Sequence, residues 1–117
     1  MIRCKILKIF MNINKRSMGN IREIDYKEMN RIIRNNKDIK IIDVRSNQEY
    51  MERRINNAIN IPLYELNKRI ENEIEDKNCL IILYCGCGIR SKKAYRILEK
   101  KGYTNLYSLK DGIDEIF

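Results

Sequence analysis

The chain has 117 residues, enough for one domain with a real core. It is 44% hydrophobic and 34% charged, a globular composition that excludes a disordered chain. Its formal charge of +8 is uneven: residues 1–20 hold five basic residues and no acid, which leaves the rest at only +3, so nucleic-acid binding is not compelled.

Residues 1–20 form a basic leader, and three readings of it stand: a flexible tail, a start upstream of the native one, or a surface anchor. Met11 and Met18 are alternative starts. The leader's apolar run is short and broken by Lys8, so it is not a signal peptide, and the chain has no stretch long enough to span a membrane. Reduced thiols and a cytoplasmic setting are expected for the four cysteines Cys4, Cys79, Cys85 and Cys87. A zinc site is a weak alternative, since Cys85-x-Cys87 has tight spacing, there is no histidine, and the other two cysteines have no metal-like pairing.

From Ile21 onward strands and helices alternate. Ile21–Ile24 reads as a strand. Asp25 can cap a helix over Tyr26–Arg34 with Met29, Ile32 and Ile33 inward. Ile39–Val44 is apolar enough for a parallel sheet and ends in Asp43 and Arg45. Those two can support a site at the strand end, with Asp43 orienting a nearby arginine or loop N–H groups. Alternatively they are an ordinary exposed ion pair worth about 0–1 kcal/mol. Ser46 or Asn47 caps a short helix to Glu52 with Tyr50 and Met51 inward. Ala58–Ile61 is a third strand, and Tyr64–Ile74 a helix with Leu66, Ile70 and Ile74 along one side. Glu71, Glu73, Glu75 and Asp76 form a solvated acidic face where the helix end should fray. Cys79 is expected as a small buried residue at the start of the next strand.

The informative stretch follows. Leu80–Tyr84 is a short, mostly apolar strand, and Ser91–Lys101 is a helix with Ala94, Ile97 and Leu98 inward. Between them runs Cys85-Gly86-Cys87-Gly88-Ile89-Arg90-Ser91. In an open parallel sheet the carboxyl ends of the strands are where ligands bind. Free N–H groups at a helix start and in a glycine-rich turn favour an anion there. Gly86 and Gly88 let the backbone curl inward, and Arg90 adds a permanent positive charge. The loop is expected to hold Cys85 as a reactive sulfur anion. The competing reading is a structural cysteine in a tight turn. Asn105–Leu109 is a last strand, with Tyr103 and Tyr107 packing nearby. Strands alternating with helices make an α/β domain with a parallel sheet.

Cys-x-x-Gly-x-Arg-Ser after a buried strand resembles the active-site loop of rhodanese-like sulfurtransferases. Ile41-Ile42-Asp43-Val44-Arg45 and Ala58-Ile59-Asn60-Ile61-Pro62 are similar to two further signatures of that family, in the same order. The resemblance covers residues 21–117. It implies five parallel strands with helices on both faces, and a support role for Asp43 and Arg45. Departures exist. Arg53-Arg54 stand where the family commonly has Gly-His, and Asn57 stands where it has a glycine, a mild change because Asn tolerates a left-handed turn. Asp111 replaces the first glycine of a closing Gly-Gly motif, and the tryptophan that often follows is absent. The usual final helix would be clipped at Phe117.

The activity implied is sulfur transfer. Cys85 is the nucleophile and becomes a persulfide, which the N–H groups of Gly86, Cys87, Gly88, Ile89, Arg90 and Ser91 cradle. A thiol, or cyanide, then takes the outer sulfur in a two-step exchange. No metal or organic cofactor is required. The implied partners are a small sulfur donor (thiosulfate, polysulfide or a persulfide), a thiol acceptor or a sulfur-relay protein, with no nucleic acid and no membrane; a monomer is expected. Related phosphatases and arsenate reductases have one more residue between Cys and Arg, so the shorter loop here suits sulfur better than a tetrahedral oxyanion. Thiosulfate-using relatives often carry a basic residue where this chain has Gly86. Cys87 is either a spacer or a resolving thiol; a direct Cys-x-Cys bond would be strained. The alternative from another class is a rhodanese-like module that carries sulfur, senses redox state or binds a partner with little turnover. A nucleic-acid binder would rest on the leader alone.

Overall fold

The computed structural model describes residues 19–116. The expectations for the leader therefore fall almost wholly outside the described residues. Among the described residues five strands and four helices alternate: β1 Glu23–Ile24, α1 Tyr26–Asn35, β2 Lys40–Asp43, α2 Asn47–Glu52, β3 Ile59–Asn60, α3 Leu63–Glu73, β4 Ile81–Tyr84, α4 Ile89–Lys100 and β5 Leu106–Leu109. All neighbouring strands are parallel, in the order β1-β5-β4-β2-β3. This is the α/β sheet that the sequence pattern and the resemblance imply. No helix among the described residues is long and apolar enough to cross a membrane.

Side chains alternate across the sheet. Ile42, Val44, Ile81, Leu83 and Cys85 face one core with Leu66 and Ile70 of α3 and Ala94 and Leu98 of α4. Ile41, Ile82 and Tyr84 face the other with Met29 of α1, and Tyr50 of α2 packs against its edge. Every residue of β4 is buried, since the strand is covered above, below and on both sides.

Local chemistry sets the helix starts. Asp25 accepts the Glu28 N–H at 2.7 Å and opens α1. Ser46 and Glu49 cap α2 reciprocally: the Ser46 hydroxyl accepts the Glu49 N–H at 3.2 Å, and Glu49 Oε1 accepts the Ser46 N–H at 3.0 Å.

Some expectations change. Met51 is 66% exposed rather than inward, because a six-residue helix presents only a narrow inner side, and Tyr50 fills it, donating its hydroxyl to Ala58 O at 2.7 Å. Cys79 is only partly buried and lies ahead of β4, not within it. The acidic end of α3 carries ion pairs: Glu73 with Arg69, and Glu71 with both Lys77 and Lys101. Helix α4 begins two residues earlier than the apolar pattern indicates, because Gly88 turns left-handed immediately before it.

Candidate active site

Cys85 follows β4 directly and is fully buried as a free thiol. Its Sγ accepts two backbone N–H groups, Gly88 at 3.1 Å and Ser91 at 3.3 Å. Both donors belong to the start of α4, whose first N–H groups have no carbonyl partner within the helix. The Gly88 N–H reaches the sulfur because Gly88 sits at φ +95°, which an L side chain rarely adopts. Ser91 is fixed on its other side. Its hydroxyl donates to Gly88 O at 3.2 Å and shares a 2.8 Å hydrogen bond with Ser108 of β5, both serines being buried. The sulfur thus sits in a turn anchored to two strands, facing the positive end of a 12-residue helix. Cys87, Ile89 and Arg90 are half-buried along the same turn, and Cys87 is disulfide-bonded rather than the reduced thiol expected from the sequence.

The two glycines of the loop act differently. Gly88 supplies the left-handed turn. Gly86 is not among the residues with positive φ; it supplies room. The segment Asp111–Ile116 closes over it: Ile113 N–H donates to Cys85 O at 3.0 Å and Asp114 N–H to Gly86 O at 2.9 Å. Gly112, at φ +68°, approaches so closely that a Cβ there would lie 2.2 Å from Gly86 O. Asp111, in place of a glycine, has φ +64°, and Asn57 has φ +67°, so both short polar residues take the left-handed conformation.

Arg90 forms a two-pronged ion pair with Glu49 at 2.7 and 2.9 Å. The Arg90 guanidinium beside it, helped by the Ser46 N–H, holds the Glu49 carboxyl down to about 2. Glu49 raises the Arg90 pKa in turn. Asp43 does not orient Arg90. Asp43 pairs in register with Tyr84, one residue out of phase with Cys85, so its side chain lies on the opposite side of the sheet.

Nor are Asp43 and Arg45 an exposed ion pair. They are 0% and 5% exposed, with Arg45 Nη2 on Asp43 Oδ2 at 2.8 Å. Tyr84 donates its hydroxyl to Asp43 Oδ2 at 2.8 Å and accepts the Ile55 N–H at 3.0 Å; burial pushes the phenol up. Arg45 also donates to Arg53 O, and the Asn60 amide donates to the carbonyls of Asp43 and Arg45 at 3.0 Å each. This knot locks β2 and β4 to the segment Arg53–Ile55 under the rim that carries Cys85. Sequence reasoning missed Glu49, although Ser46-x-x-Glu49 is a capping-box pattern that marks it.

The geometry defines an α/β protein with a cysteine cradled at the carboxyl edge of its sheet. The pattern of the Rhodanese-like domain family matches residues 25–117, and the chain belongs to that family. It is 42% identical to the thiosulfate sulfurtransferase PspE of Escherichia coli over 65 residues, 56% of this chain and 62% of that one. It is 35% identical to a tRNA uridine(34) hydroxylase of Prochlorococcus marinus over 77% of this chain but 31% of that one. Among solved structures, a rhodanese with anions from E. coli superposes with a TM-score of 0.61 at 37% identity, over 65% of this chain and 89% of that one. The chain therefore spans less than two thirds of the length of these curated relatives.

Proposed function

We propose that the chain is a rhodanese-type sulfurtransferase in which Cys85 carries the sulfur. The observation that supports this most directly is the pair of N–H donors on Cys85 Sγ at the start of α4. Two fixed donors stabilise a thiolate before reaction and remain available to a persulfide after it. In the first step the Cys85 thiolate attacks the outer sulfur of a donor. The Sγ–S bond forms, the donor's S–S bond breaks, and the leaving group departs with the electron pair. In the second step a thiolate or cyanide attacks the outer sulfur, and Cys85 leaves as thiolate. Neither step needs a metal or an organic cofactor. Both need a reduced Cys85, which fits a reducing compartment such as the cytoplasm. The remaining loop residues from Gly86 to Ser91 line the cradle, and Asp43 and Arg45 support it from below. The partners are a small sulfur donor and a thiol or sulfur-relay acceptor.

A second reading is a module that carries or senses sulfur with little turnover. The complete burial of Cys85 favours it, because a donor must displace covering atoms to reach the sulfur. The match to under a third of a larger enzyme also favours it. Intact-protein mass spectrometry separates the two. After exposure to thiosulfate or polysulfide the wild type should gain one sulfur that cyanide removes, and Cys85→Ser should gain none. Loading that cyanide clears over repeated cycles supports the enzyme. Loading without turnover supports the module, and no loading by either donor rejects sulfur carriage by Cys85.

A further inference from the structure

The position after the cysteine names the class of donor, and this inference rests on the sulfurtransferase reading above. Gly86 has no side chain, and the room beside it is already taken. A Cβ at Gly86 would lie 2.6 Å from Asp114 Oδ2 and 3.0 Å from both Cγ and Oδ1. Asp114 is fixed there through its own backbone, by the bond from its N–H to Gly86 O at 2.9 Å. A basic residue after the cysteine would present a cation at this spot; the chain presents a carboxylate instead.

The loop from Cys85 to Ser91 carries one cation, Arg90, and both of its terminal nitrogens are engaged by Glu49. Asp114 acts on Arg90 electrostatically as well. Lys92, in the next turn, is directed at Glu23. Glu49 and Asp114 thus both act on the loop's one guanidinium, which leaves little of its charge uncompensated.

We infer that Asp114 is a specificity-determining residue that sets the loop against doubly charged sulfane-sulfur donors such as thiosulfate. It favours donors with a single negative charge, namely thiosulfonates and the persulfides of small thiols. The chemistry is the same for both kinds of donor. With thiosulfate the Sγ–S bond forms as the S–S bond breaks, and sulfite leaves with the electron pair. With methanethiosulfonate the same bonds form and break, and methanesulfinate leaves.

The test compares thiosulfate with methanethiosulfonate as donors to cyanide, in wild type, Asp114→Asn and Asp114→Glu. The readout is the ratio of the two kcat/KM values. Removing one charge near a donor that differs by one charge should raise the thiosulfate ratio about tenfold in Asp114→Asn at low salt. Asp114→Glu should restore the wild-type ratio, and about 0.5 M salt should shrink the difference. A purely structural role would lower both donors together and leave the ratio alone. A second readout does not depend on sulfur transfer: the rates at which iodoacetate and iodoacetamide alkylate Cys85, followed on the peptide that contains it. Their ratio should rise by about the same factor in Asp114→Asn, since these two reagents also differ by one charge. Unchanged ratios in both assays would overturn the role of Asp114. If neither donor yields thiocyanate but the alkylation ratio shifts, the electrostatic role stands and the sulfurtransferase reading falls.

Discussion

Glu49 is the residue on which the loop's arginine depends. Its two oxygens meet Arg90 at 2.7 and 2.9 Å, and Ser46 holds it from behind. Its depressed pKa gives the pH dependence a sign. A carboxylate whose folded pKa lies below its unfolded one stabilises the fold fully above the unfolded value, and that contribution is lost as pH falls through the folded value. For Glu49 the window runs from about 4.5 down to about 2. The pair is more than a third exposed, so its worth is discounted to about 1 kcal/mol or less. Glu49→Gln should therefore melt slightly below wild type from pH 7 to 5, and the two melting curves should converge as pH approaches 2. A gap that stays constant to pH 2 would contradict the assignment. The Cys85 loop was legible in the sequence because its residues are contiguous. Glu49 was not linked to Arg90, because no local pattern ties residues that far apart. Asp43 was placed at the correct strand end but given the wrong neighbour, because its side of the sheet depends on pairing register.

At the scale of elements, the loop is finished by the segment after β5. Ile113 and Asp114 donate to the carbonyls of Cys85 and Gly86, and Gly112 lies against Gly86 with no room for a methyl group. Gly112→Ala meets two penalties at once, a left-handed backbone and a clash with backbone atoms that cannot swing away. A loss of at least about 2 kcal/mol is expected in urea unfolding with an unchanged slope. Sulfur loading of Cys85 should slow as well, since the displaced atoms belong to its loop. An alanine variant of wild-type stability would show that the approach is looser than described. Sequence patterns placed all nine of the described elements, because apolar periodicity and capping residues are local signals. The boundaries moved where backbone conformation decided, as at Gly88. The short helix α2 kept its place, but Met51 was assigned inward because six residues hold too little periodicity to define a side.

At the scale of the molecule, β4 lies at the centre of both cores and between two strands, while β1 and β3 form short edges. Its amides are expected to open only with global unfolding. Native-state hydrogen exchange should place Ile82 and Leu83 among the slowest amides, with free energies equal to global unfolding, and Ile24 and Asn60 well below. Slow exchange at the edges and fast exchange at β4 would reverse this hierarchy. Cys85 therefore follows the fully buried central strand, while the atoms that complete its turn come from further along the sequence. A ribosome adds Cys85 well before Gly112, Ile113 and Asp114, and domains fold as units once enough of the chain has emerged. A nascent chain that already contains Cys85 still lacks the contacts that shape its cradle. The turn around Cys85 is thus completed only when Gly112, Ile113 and Asp114 have joined the fold.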